Sequence, residues 1–72
     1  MSVLTVVANG KLREVPAGST IRDLLDGVGW KPEWVVVERN GEPVERSAFA
    51  MTRLAEGDRL EIVRAVAGGA SR

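Results

Sequence analysis

Apolar positions recur with period two near both ends of the chain and with a helical period once in between. Val3-Leu4-Thr5-Val6-Val7-Ala8 is rich in β-branched residues and predicts a strand. Asn9-Gly10 follows, a pair that tolerates the positive φ angles of a tight hairpin. Lys11-Leu12-Arg13-Glu14-Val15 alternates charged and apolar, as a half-solvated return strand does. Leu12 and Val15 are both expected against apolar surroundings, although their unequal spacing leaves the register open. Pro16 has no N–H to donate and should end the ladder.

Ala17-Gly18-Ser19 reads as loop, and Thr20 stands three residues before Asp23 in a capping-box pattern. Ile21, Leu24, Leu25 and Val28 fall at i, i+3, i+4 and i+7, on one face of a helix that Gly29 should stop. A helix of about two turns is too short to stand alone in water, so it must dock on a sheet. Trp30-Lys31-Pro32-Glu33-Trp34 links it to the next strand, and the two indoles are expected to cover the rim of the core. Val35-Val36-Val37-Glu38-Arg39 is the clearest strand, Asn40-Gly41 a second tight turn, and Glu42-Pro43-Val44 a short edge return. Residues 45–54 have no steady period and read as loop with one helical turn around residues 47–51. Phe49, Met51 and Leu54 should plug the open end of the core there.

Glu56-Gly57-Asp58 turns the chain into a last strand from Arg59, apolar enough for the interior of a sheet. If Leu60 and Ile62 face the core, Glu61 and Val63 face out, and by the same alternation Val36 and Glu38 face out beside Val35 and Val37. Val36 and Val63 could then form a small exposed apolar patch. A hairpin, a crossing helix and further strands make an α+β arrangement with one helix on one face of a mixed sheet.

The last strand runs through Arg64-Ala65-Val66-Ala67 into Gly68-Gly69, with only Ala70-Ser71-Arg72 beyond. Glycines in that place close no turn; they let the backbone approach another surface. Residues after Val66 bring little apolar surface to offset the entropy of ordering them, so a flexible end is expected.

With 72 residues the chain is one domain, which buries about 60% of its unfolded surface. Ten cations and ten carboxylates cancel, leaving no overall basic field for nucleic acid or an anionic membrane. There is no Cys, His or Tyr, which removes disulfides, imidazole or thiolate metal sites and the usual nucleophile–base pairs. The carboxylates are scattered, and a free-standing enzyme is not expected. No apolar run reaches bilayer length, and Met1-Ser2 leads directly into strand pattern, so a cytoplasmic protein is expected.

Several runs go further: Ala8-Asn9-Gly10-Lys11, Val15-Pro16-Ala17-Gly18-Ser19-Thr20-Ile21, Asp23-Leu24-Leu25, Val35-Val36-Val37-Glu38-Arg39-Asn40-Gly41, Glu56-Gly57-Asp58, and the closing strand with Gly68-Gly69. Together the chain resembles the ThiS family, small sulfur carriers of thiamine biosynthesis with a β-grasp, ubiquitin-like fold. The resemblance implies a β-grasp domain over residues 1–66, with a mixed sheet of four to five strands and one main helix across one face. It also implies that the first and last strands lie side by side at the sheet's centre, and that residues 67–72 form a flexible tail.

The implied role is that of a carrier acted on by partner enzymes, with no catalytic residue, metal or bound cofactor of its own. A ThiF-like adenylyltransferase would use ATP to adenylate Gly69. A sulfur donor of the cysteine desulfurase or rhodanese type would convert the adenylate to a thiocarboxylate, and a ThiG-like thiazole synthase would take the sulfur. Gly68 and Ala67 would complete the tail, and the face bearing Val36 and Val63 would meet the adenylating enzyme. Family members typically stop at the second glycine, whereas Ala70-Ser71-Arg72 follow here. Either a protease removes them, or they come from the way the chain was encoded or made, or this homologue carries no sulfur; the intact pattern favours the first two. Alternative readings are a carrier for molybdopterin or another thiolation pathway, a ubiquitin-like modifier joined to target lysines through its glycine terminus, and an interaction module without tail chemistry.

Overall fold

The structure, a computed structural model, describes residues 2–65. Strand β1 (Val3–Ala8) turns through Asn9 and Gly10, with φ of 53° and 81°, into β2 (Lys11–Pro16). Helix α1 (Ile21–Val28) follows, then a 3-10 turn at Pro32–Trp34, strand β3 (Val35–Arg39), a second Asn-Gly turn and β4 (Glu42–Val44). A 3-10 turn at Arg46–Ala48 and a stitched loop lead to β5 (Arg59–Arg64). The five strands form one sheet in the order β2-β1-β5-β3-β4, with β5 parallel to β1 and antiparallel to β3. One main helix on a five-stranded mixed sheet is the β-grasp arrangement, and the last strand sits in its interior as its apolar content required.

The helix starts where its sequence says it should. Thr20 accepts the Asp23 N–H at 3.1 Å while Asp23 accepts the Thr20 N–H at 2.9 Å, a reciprocal capping box. Two further N–H groups of the first turn are met from outside the helix: Ile21 donates to the Thr52 carbonyl and Arg22 to that of Phe49. Gly29, at φ 83°, ends the helix, with its N–H on the Asp26 carbonyl and the Trp30 N–H on that of Leu25. Ile21, Leu24 and Leu25 are buried with Val35, Val37, Leu60 and Ile62 in a single core.

Three apolar positions depart from expectation. Leu12 is 75% exposed, because the two-residue turn pairs it with Val7 on the sheet face away from the helix, while Val15 opposite Leu4 reaches the core. Val28 is only half-buried, since the last helical turn lies at the edge of the packed layer. Met51 is 77% exposed: the chain turns there so that Phe49 and Leu54 point inward on either side of it. The helical turn in this segment falls at Arg46–Ala48, ahead of the expected position. Pro16 is the last residue of β2 rather than a residue beyond it, and the ladder continues past it through the Ala17 N–H on the Ser2 carbonyl at 3.1 Å. That pattern leaves Pro16 where its missing N–H would point out of the sheet.

Candidate tail-presenting site

Strand β5 is the element that leads to the glycines, and side chains from both flanking turns hold it. Asn9 acts as a substitute strand residue: its Oδ1 accepts the Ile62 N–H at 2.7 Å and its Nδ2 donates to the Ile62 carbonyl at 3.0 Å. The β1–β5 ladder pairs only Val7 with Arg59 and Ala8 with Leu60, so Asn9 extends the pairing after β1 has turned away. On the other side Asn40 Oδ1 accepts the Arg59 N–H at 2.9 Å. At the far end the Ala65 N–H donates to the Trp34 carbonyl at 2.7 Å. The sequence marked Asn9 and Asn40 as turn residues; their grip on β5 was not legible, because the partner atoms are backbone groups far along the chain.

Asp58, 5% exposed, anchors the start of β5. Its carboxylate accepts from Arg39 Nε at 2.9 Å, Asn40 Nδ2 at 3.0 Å and the Ala55 N–H at 2.8 Å. Burial opposes its ionisation, but these hydrogen bonds and the Arg39 charge outweigh that cost and hold its pKa below the usual carboxylate value. A depressed carboxylate stabilises the fold above its unfolded-state pKa, and the contribution is lost as pH falls through the folded-state value. Asp58→Ala should therefore cost about 2–4 kcal/mol at neutral pH. The native chain should also lose more stability than the variant between neutral pH and about pH 3. Denaturant titrations at the two pH values check this, and equal acid losses in both proteins would remove Asp58 as the source.

The outer sheet face carries the expected valines. Val36 and Val63 are 51% and 59% exposed and are register partners, so their side chains lie next to each other. Glu38 and Glu61 stand opposite each other one step along the same face. Gly69, Gly68 and Ala67, the expected attachment site and tail, lie outside the described residues, as does the rest of the expected tail. Among the described residues no group of three or more potential metal ligands occurs, and no helix is long and apolar enough to cross a membrane.

Comparison with known proteins gives the same picture. The crystal structure of a thiamine biosynthesis protein (ThiS) from Geobacter metallireducens matches with a TM-score of 0.76 and 33% identity, covering 92% of this chain and 100% of that one. A solution structure of a thiamine biosynthesis protein from the same organism gives 0.70 at 32% identity, covering 96% of this chain and 92% of that one. Among curated proteins, a thiazole synthase from Magnetococcus marinus is 41% identical over 61 residues, or 85% of this chain and 19% of the relative. A thiazole synthase from Paramagnetospirillum magneticum is 38% identical over 69 residues, 96% of this chain and 21% of the relative. The chain thus spans about a fifth of the length of the curated relatives it matches. The family model described as "ThiS family" matches residues 6–69, from the first strand through both glycines, and the chain belongs to that family.

Proposed function

We propose that this protein is a sulfur carrier for thiazole formation in thiamine biosynthesis, a substrate of partner enzymes rather than an enzyme. The observation that carries the reading is the extent of the family match, which runs in sequence past the central strand β5 to include Gly68 and Gly69. A carboxylate is a poor electrophile. Hydrolysis of the Gly69–Ala70 peptide bond by a protease would free the Gly69 carboxylate, and a ThiF-like adenylyltransferase with ATP would convert it to an acyl adenylate, releasing pyrophosphate. The terminal sulfur of a persulfide on a cysteine desulfurase or rhodanese would then displace AMP to form an acyl disulfide. Attack by a second thiol on the donor-side sulfur would release the thiocarboxylate and leave a disulfide on the donor. A ThiG-like thiazole synthase would consume the thiocarboxylate. The two relatives named thiazole synthase favour that product over molybdopterin. Residues 1–66 would be the folded body and 67–72 the tail, whose glycines let the backbone pass a narrow active site.

Intact-mass analysis of the protein from its native host tests this. A free species ending at Gly69 and heavier by one oxygen-to-sulfur exchange is expected. Adducts to other proteins through the glycine terminus, with no free thiocarboxylate, would make it a modifier instead.

Val36 and Val63 would contribute to the face that meets the adenylating enzyme. Val63→Asp should weaken that complex by about tenfold or more, since it places an unpaired charge in an apolar contact. Its thermal unfolding should stay close to that of the native chain, because Val63 is 59% exposed on the outer sheet face. Calorimetric titration against the enzyme reads the affinity, and an unchanged value takes the valine pair out of the interface.

A further inference from the structure

An enzyme that acts on Gly69 must press its active-site mouth against whatever surrounds Ala65, because the four residues 66–69 span no more than about 14 Å even fully extended. The surroundings of Ala65 are distinctive. The Arg64 guanidinium lies 5.6 Å from the centre of the Trp34 ring, and Lys31 Nζ lies 5.4 Å from it. Trp30, Trp34, Val35 and Arg64 enclose a cleft of 160 Å³. Trp30 also borders a second cleft, of 190 Å³, whose lining includes Lys11 and Arg13 beside Ile62 of β5. Among the described residues no carboxylate lines either cleft, whereas a third cleft bordered by Trp30 and Lys31 also has Asp26 and Glu33 in its lining. Among them, too, none of these four cations is ion-paired, although the whole chain carries as many acids as bases. The chain's two tryptophans both sit here, 37% and 41% exposed. Cation–π pairing accounts for where Lys31 and Arg64 lie, but not for indole surface left open to water. Tryptophan and arginine are the side chains that dominate the centres of protein interfaces, and charge of one sign around them steers a partner of the other sign.

We propose that this aromatic and cationic ring, Lys11, Arg13, Trp30, Lys31, Trp34 and Arg64, is the docking surface for an acidic protein rim, the mouth of the enzyme that adenylates Gly69. The inference rests on the sulfur-carrier reading above. The ring meets the partner around the tail root, on the helix side of the sheet, and the valine pair meets it on the opposite face.

Pyrophosphate release by a chain ending at Gly69, with ATP and the adenylating enzyme, tests the ring. The double substitution Lys31→Glu/Arg64→Glu should raise the KM for the carrier about tenfold at low salt, with kcat at saturation within about twofold. The gap should shrink by about 0.5 M salt. Arg46→Glu/Arg53→Glu makes the same charge change on exposed residues at the other end of the helix, where Phe49 and Thr52 meet its first turn, and should leave KM within about twofold. Thermal unfolding of both variants confirms that they fold. Equal KM changes in the two pairs, or an unchanged KM in the first, would overturn the docking surface while leaving the carrier reading intact. Tryptophan fluorescence that responds to pyrophosphate alone as strongly as to the enzyme would make the ring a small-anion site and overturn it too. If the unsubstituted chain ending at Gly69 releases no pyrophosphate at all, the carrier reading fails and the docking assignment with it.

Discussion

A chain ending at Gly69 should release pyrophosphate with ATP and its adenylating enzyme, and a chain ending at Arg72 should release at least about a hundredfold less. The reason is position. Adenylation requires one carboxylate oxygen to be held in line with the α-phosphate, and misplacement by even about 1 Å can cost a hundredfold in rate. In the longer chain Gly69 is locked in a peptide bond, and the free carboxylate lies three residues further along on Arg72, with a bulky cation beside it. Gly69→Val in the shorter chain should fail as well, because a β-branched side chain would stand next to the reacting carbon. Pyrophosphate release by the three proteins makes the comparison. Equal activity with and without Ala70-Ser71-Arg72 would show that Gly69 is not the reactive residue.

Phe49→Ala should cost about 3–5 kcal/mol, the largest stability loss expected from a single core truncation here. Phe49 is 2% exposed and stands first among the fully buried side chains by volume, so its removal leaves a cavity that a small domain cannot close by collapse. Its backbone matters as well. The Phe49 carbonyl accepts the Arg22 N–H, and the neighbouring Thr52 carbonyl accepts that of Ile21, so the segment that seats the ring also completes the first turn of the helix. A domain of this size has about 5–15 kcal/mol to lose, and the variant should be partly unfolded at modest denaturant. Denaturant titration followed by circular dichroism measures it. A loss below about 1 kcal/mol would mean that the ring is not the plug of this core.

The elements were legible wherever the determinant is local. Asn9-Gly10 and Asn40-Gly41 announced two tight turns, and both appear with positive φ at each residue. Thr20 with Asp23, and Gly29 after an i, i+3, i+4 stripe, set the helix ends to the residue. Alternation along Arg59–Arg64 was enough to put Leu60 and Ile62 inside and Val63 outside. The central place of β5 beside β1 followed from the family resemblance rather than from periodicity, because strand order depends on contacts between distant parts of the chain.

Tertiary structure alone decided what periodicity left open. Hairpin register sent Leu12 outward and Val15 inward, although the sequence treated them alike. The path of residues 45–58 separated Met51 from Phe49 and Leu54, since an irregular backbone imposes no period on its side chains. It was also the fold, not the composition, that gave the turn asparagines their second role. Asn9 reaches Ile62 across 53 positions and Asn40 reaches Asp58 across 18. A scattered acid such as Asp58 became a buried anchor in the same way, because Arg39 and Asn40, which donate to it beside the nearby Ala55 N–H, lie 19 and 18 positions away. Local chemistry determines which segments form strand, turn or helix; which distant polar groups meet is settled when the core closes and every buried donor and acceptor must find a partner.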